Sequence, residues 1–191
     1  MNDDIRSKKL LYHLTSLRNM RSILEQGLLP RASLEGFVDV ADSEIIAHRK
    51  GLGLEQKVPF HFFAKNPFDG RVQRNHPQEQ FVLIAVQRSI AKHMGWQIIP
   101  RHPLAGMEIE LLDYDAGMEA IDWDIMNTRD YSNQNCKCVC MAECLSPGPV
   151  SVGSFQAIYV KDENAQREIL GMMDGLRPPP YVNVAPLMFV Q

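Results

Sequence analysis

The chain has 191 residues, enough for one domain with a continuous core and no need of disulfide or metal staples. Its 45% apolar and 23% charged residues are those of an ordinary globular protein, and no apolar run approaches the roughly 18 residues that a membrane span needs. A formal charge of −3 argues against a protein that grips nucleic acid along a long basic track, though not against an enzyme that captures a few nucleotides in a local cleft. The opening Met1-Asn2-Asp3-Asp4 is acidic and polar, unlike a signal peptide, so the expected location is cytoplasmic.

In chain order, Leu10 to Thr15 reads as a short strand. A helix follows at once: Ser16 is the candidate N-cap, Leu17, Met20, Ile23 and Leu24 recur at helical spacing, and Gly27 and Pro30 stop it. A second helix is expected from about Asp42 through Arg49 to Gly51. Val58 to Phe63 is an aromatic strand, and Phe81 to Val86 is apolar without interruption, as a strand buried on both faces would be. A short helix over Arg88 to Met94 precedes a weakly patterned stretch, 96 to 135, expected to be rich in loops. Cys138 to Leu145 reads as a strand, as does Phe155 to Val160; a helix runs from about Asp162 to Met173, and Val182 to Val190 is strand-like again. The class is α+β, which names no activity.

Three features bear on chemistry. His13 and Thr15 alternate onto one face at a strand end, where both could bond one ligand, although a lone histidine there is as well satisfied by backbone. The aromatic strand ending in Phe62-Phe63 could wall a flat ring or be core. Glu143 sits inside an apolar run, where burial costs free energy unless something binds it. A carboxylate at a cleft edge can stabilise the positive charge that develops at an anomeric carbon during glycosyl transfer.

In this order, a strand with His-x-Thr, an aromatic strand and a late Ala-Glu strand, the chain resembles the ADP-ribosyltransferase superfamily. It is similar in particular to the DarT family of DNA ADP-ribosyltransferases. The matching residues are Leu11 to Thr15 with Asn19, Ile23-Leu24 and Gly27-Leu28; Val58 to Phe62 with Asn66-Pro67-Phe68; Ile121 to Asp124; Ala142 to Leu145; and Ala157 to Val160. The resemblance implies one domain over residues 1–191, two small packed β-sheets with flanking helices around an NAD cleft, and transfer of ADP-ribose from NAD⁺ to a base in single-stranded DNA. It implies Glu143 and Arg49 as catalytic residues, and His13, Thr15, Phe62, Phe63 and Gly27 as cofactor contacts. No metal or membrane is implied. A toxin's role, opposed by a macrodomain antitoxin, comes with the family.

Two departures leave the acceptor open among DNA, RNA and protein. Met141, two residues before Glu143, cannot donate the hydrogen bond a Gln would give, and His61 stands where related members often carry Tyr. The four cysteines, Cys136, Cys138, Cys140 and Cys144, are too closely spaced for the usual zinc knuckle and read as buried thiols. On an unbroken strand the first three would share one face and Glu143 would point to the other.

Overall fold

A computed structural model describes residues 4–34, 36–38, 53–102, 110–175 and 178–190. Seven strands, β1 (Leu10–Ser16), β2 (Val58–His61), β3 (Phe81–Gln87), β4 (Gln97–Ile99), β5 (Glu143–Ser146), β6 (Phe155–Val160) and β7 (Tyr181–Val184), lie in the order β4-β5-β2-β1-β3-β6-β7. All neighbours are antiparallel except β6 and β7, which run parallel and are joined through α7 (Glu163–Met172). The mixed α and β class is as expected. The two expected sheets are, among the described residues, one sheet with a weak seam. Strands β1 and β3 pair along their full length, but β1 and β2 meet at the single pair Tyr12↔His61. One paired position cannot hold two strands together along their length, so β4-β5-β2 and β1-β3-β6-β7 part on either side of it.

The uninterrupted apolar run of β3 is buried from Phe81 to Val86, as a central strand covered on both faces must be. On one face the main core gathers Leu11, Val82, Ile84, Ile158 and Val160 with Met20, Ile23 and Leu24 of α1 (Met20–Gln26) and Ile169 of α7. On the other, Leu83 and Phe81 pack with Val72 of α2 (Pro67–Asn75) and with Phe189. Ser16 caps as expected, but it caps a 3-10 turn, accepting from the Arg18 N–H, and the α-helix begins only at Met20. The C-terminal strand is shorter than expected: it ends at Val184, and a 3-10 turn at Pro186–Met188 follows.

The larger differences lie between residues 96 and 146. The short helix expected before this stretch is α3 (Arg88–His93), but in place of loops there are β4 and, after it, α4 (Tyr114–Ala120), α5 (Trp123–Thr128) and the start of α6 (Gln134–Cys140). Each of these last three helices is six or seven residues long, too short to show a 3.6-residue period. Each nevertheless starts on a side-chain cap: Asp113 to the Ala116 N–H, Asp122 to Ile125, and Asn133 to Cys136. The Asn133 cap also overturns the strand expected over the cysteines. Cys136, Cys138 and Cys140 are helical, and β5 starts only at Glu143. Helical spacing sets Cys136 Sγ 3.8 Å from Cys140 Sγ, and all four thiols are buried and free.

The second expected helix, with Arg49, lies outside the described residues. No helix among the described residues is long and apolar enough to cross a membrane.

Candidate active site

A cavity of about 530 Å³ opens where β1 and β2 part. That size suits a small-molecule ligand of the usual range, about 300–1,000 Å³. His13, Thr15, Gly27 and Glu143, four of the residues singled out from the sequence, line it together.

His13 bridges the seam. Its Nδ1 lies 2.8 Å from the Pro59 carbonyl oxygen, and because a carbonyl only accepts, the ring carries a proton on Nδ1. That bond fixes the ring where the ladder is weakest, with the His13 ring 5.6 Å from that of Phe60. Thr15 is buried, and its Oγ1 accepts from Asn19 Nδ2 at 3.2 Å. Asn19 reaches further: Nδ2 also donates to the Val38 carbonyl at 3.1 Å, and Oδ1 accepts the Val38 N–H at 2.9 Å. One amide thus ties the segment 36–38, a wall of the cavity, to the strand that carries His13 and Thr15.

Gly27 ends α1 at φ +82°, a conformation that L side chains rarely adopt. A Cβ there would lie 2.5 Å from the Val150 carbonyl oxygen, which accepts the Leu28 N–H at 2.9 Å. Glycine is therefore required at this point of the wall for close backbone approach.

Glu143 is the first residue of β5 and is 9% exposed. It pairs with His61 of β2 on one side and with Ile99 of β4 on the other. Directly paired residues project from the same face of a sheet, so His61 and Glu143 stand side by side at the cavity wall. His61 Nδ1 lies 3.1 Å from the Ala142 carbonyl, which orients the ring as Pro59 orients that of His13. Glu143 thus owes its direction to this register, and the expected alternation with the cysteines plays no part.

Phe62 and Phe63, expected beside the cofactor, do not line the cavity. Strand β2 ends at His61, and past it the chain turns both rings into the interior. Phe62 meets Trp123 edge-on at 5.4 Å and lies 5.1 Å beneath the guanidinium of Arg88. Arg88 donates to the carbonyls of Arg6, Leu10 and Phe62, which is a structural clamp. Phe63 packs under Arg129. Aromatic surfaces of the cavity come from His13, Phe37, His61 and Phe68, and the rings of the last two are 5.5 Å apart.

Helix α2 brings in a residue the sequence reading missed. Asn66 caps it, accepting the Asp69 N–H at 2.9 Å while its Nδ2 donates to Asp69 Oδ2 at 2.7 Å. Asp69 is 1% exposed and lines the cavity with Glu143 and His61. Burial pushes its carboxyl up to about 6; His61 and the Asn66 bond pull against the rise, and the Glu143 charge adds to it. The signal was legible: Asn-Pro-x-Asp is an N-cap, a proline in the first turn and an acid at the third helical position.

The cavity wall mixes charges. Arg18, Arg31 and Lys57 face it along with Glu55, and Glu55 Oε2 is buried without a hydrogen bond among the described residues. A buried acceptor of this kind suits a hydroxyl donor from a ligand. No three His, Cys, Asp or Glu side chains among the described residues converge to hold a metal ion.

A family model described as "ssDNA thymidine ADP-ribosyltransferase, DarT" matches residues 12–190. Among solved structures, Thermus sp. 2.9 DarT in complex with ADP-ribosylated ssDNA superposes with a TM-score of 0.82 at 17% identity, over 95% of this chain and 96% of that one. The same protein in complex with carba-NAD⁺ gives 0.77 at 15% identity, over 96% and 99%. Thermosipho africanus DarTG in complex with ADP-ribose gives 0.78 at 24% identity, over 95% of this chain and 51% of that one, so the chain spans about half of that protein. At these identities the structures establish the fold. No curated protein matches the chain in sequence.

Proposed function

The chain belongs to the DarT family of ssDNA thymidine ADP-ribosyltransferases, and from that premise we propose that it transfers ADP-ribose from NAD⁺ to a thymine base in single-stranded DNA. The observation that carries this reading is the buried Glu143 carboxylate, set in the wall of a ligand-sized cavity with His13 and Thr15. Loss of nicotinamide leaves positive charge on the ribose anomeric carbon, and a fixed carboxylate in a site that excludes water stabilises it strongly. Glu143 serves that step. His13 and Thr15 hold the nicotinamide ribose and carboxamide, and the close backbone at Gly27 lets the cofactor approach the wall. Arg49 takes the diphosphate or orients the acceptor; Arg18, Arg31 and Lys57 add positive charge for the same dianion. Phe68 and His61 replace Phe62 and Phe63 as the ring surfaces of this reading.

Within thymine the reacting atom follows from chemistry. In DNA the base is bonded to its sugar through N1, so N3 is its one ring nitrogen bearing a proton. In a duplex that N–H is paired and stacked away, so the acceptor is a single strand or an extruded base. The reading takes the whole match as one transferase domain working in the cytoplasm. Kinship with a DarTG protein supports the further step that it is a toxin, countered by a macrodomain antitoxin.

The test is incubation of the purified protein with labelled NAD⁺ and separate pools of single-stranded DNA, duplex DNA, RNA and protein, with Glu143→Ala alongside. Label on thymidine-containing single strands that disappears in the variant is the expected result. Label on RNA or protein alone would overturn the acceptor and leave the transferase chemistry standing.

A further inference from the structure

Three carboxylates line the cavity, Glu55, Asp69 and Glu143, and only Glu143 has a part in the reading above. Of the other two, Asp69 is almost wholly enclosed, and it lines the cavity with Phe68 and Val72 of its own helix and with His61 and Glu143. Its role at the start of α2 explains the Asn66 contacts. That role does not explain its placement, because a helix start is served as well by an acid facing water. Among the described residues Oδ2 is held by Asn66 and Oδ1 makes no hydrogen bond, so the group is oriented with one oxygen left for a ligand. The clamp is itself rigid: Asn66 is fully buried and donates as well to the Phe63 carbonyl at 3.2 Å.

We infer that Asp69 is the base that takes the ring N–H proton of the acceptor, while Glu143 serves the ribose. The inference rests on the transferase reading. The two duties ask opposite things of a carboxylate. The one beside the anomeric carbon must stay ionised while positive charge develops, and the one beside the acceptor must give up its charge by accepting a proton. Two carboxylates in different surroundings let each duty fall to its own group. The bond from the anomeric carbon to nicotinamide breaks, and its electron pair leaves with nicotinamide. The acceptor nitrogen supplies the pair for the new bond, and its proton passes to Asp69 and then to solvent. The sum is NAD⁺ plus base N–H giving ADP-ribosyl base, nicotinamide and H⁺.

Surroundings support the assignment. The titratable groups that act on Asp69 among the described residues are His61 from β2 and Glu143 from β5, and burial outweighs them to leave its carboxyl near 6, poised for proton exchange close to neutral pH. His61, fixed through Nδ1, lines the same cavity as Asp69. An acceptor of this kind matches thymine, whose N3 carries a proton, and mismatches cytosine, whose N3 is a lone pair.

The experiment compares wild type, Asp69→Asn and Asp69→Glu on labelled NAD⁺ and a thymidine-containing single strand between pH 5 and 8.5. Both DNA label and nicotinamide are read. For Asp69→Asn the ratio of DNA label to nicotinamide released should fall at least tenfold, with a loss in kcat for transfer of about 10²-fold. Asp69→Glu should recover part of it. In wild type the transfer rate should fall below about pH 6, a limb absent from nicotinamide release without DNA. Equal loss of label and nicotinamide in Asp69→Asn would overturn the assignment, and so would wild-type transfer with an unchanged pH profile. If the variants do not fold, the wild-type profiles decide alone: one shared acid limb for both reactions overturns it. A wild type that labels no DNA at all overturns the DNA acceptor of that reading, and this inference with it.

Discussion

His61 and Glu143 face each other across β2 and β5, in a row that continues through Tyr12 on β1. The row crosses the seam at its single paired position, so the carboxylate is aimed by the same contact that joins the two halves of the sheet. Glu143→Gln keeps the shape and removes the charge. Transfer and nicotinamide release should both fall about 10²–10³-fold, the usual loss when one preorganised electrostatic group is removed. Steady-state assays with labelled NAD⁺ check this, and a variant within threefold of wild type would displace Glu143 from the chemistry.

Asn19 should act on cofactor affinity. Asn19→Ala deletes its bonds to Thr15 and to both backbone groups of Val38, which releases one wall of the cavity. Losing roughly 1.4 kcal/mol of preorganisation is a tenfold effect on binding. The KM for NAD⁺ should therefore rise about tenfold with kcat less affected, and an unchanged KM would show that the tie is irrelevant to binding.

Gly27→Ala places a methyl against the Val150 carbonyl at a residue with φ +82°. Strain and collision act together, and the expected destabilisation exceeds about 1 kcal/mol. Denaturant unfolding checks it. A variant of wild-type stability would mean that the backbone shifts there without cost.

Asp69 should make stability depend on pH. Its folded value is pushed up to about 6 from an ordinary 3.8, so the folded state binds more protons than the unfolded chain between about pH 4 and 6. The contribution to stability is full below about pH 4 and is lost as pH rises through 6. At neutral pH the ionised group then costs on the order of 3 kcal/mol. Asp69→Asn should raise Tm by several degrees at pH 7.5 and little at pH 4. A gain in stability together with a loss of transfer is the mark of a group kept for function. Equal Tm shifts at both pH values would contradict the burial account.

The cysteines should be silent in the folded protein. All four are buried; burial, with neighbouring Cys136 adding to it, raises the Cys140 thiol to about 12, and burial also pushes Cys144 well up. A thiol reagent at pH 8 should modify none of them in the native state and all four after denaturation. Rapid native labelling would show that α6 opens.

Where side-chain chemistry acts locally, the sequence was readable. The stop at Gly27, the unbroken burial of β3 and the helix from Glu163 to Met172 follow from neighbouring residues and recurring apolar positions. The family could be read from the ordered run of His13, the Val58–His61 strand and Glu143, because each sits in a short run of neighbouring residues on a strand. What failed was periodicity in short elements. Helices α4, α5 and α6 are too short to show a period, and only their caps announce them. The cysteine run looked like a strand because alternating small apolar residues fit either state, and the Asn133 cap decided for helix.

The amino-acid sequence by itself determined the class of the fold, the family and the identity of the residues around Glu143. Tertiary structure decided which of them share a cavity. It turned Phe62 and Phe63 into the core beneath Arg88 and Arg129, and it brought Asp69 from α2 to the wall beside Glu143. These placements depend on register and on which side of the seam an element packs. Both are set by contacts between residues far apart in the chain, such as Tyr12 with His61 and His61 with Glu143. Local patterns cannot encode a pairing between strands more than forty residues apart, because each strand carries only its own alternation.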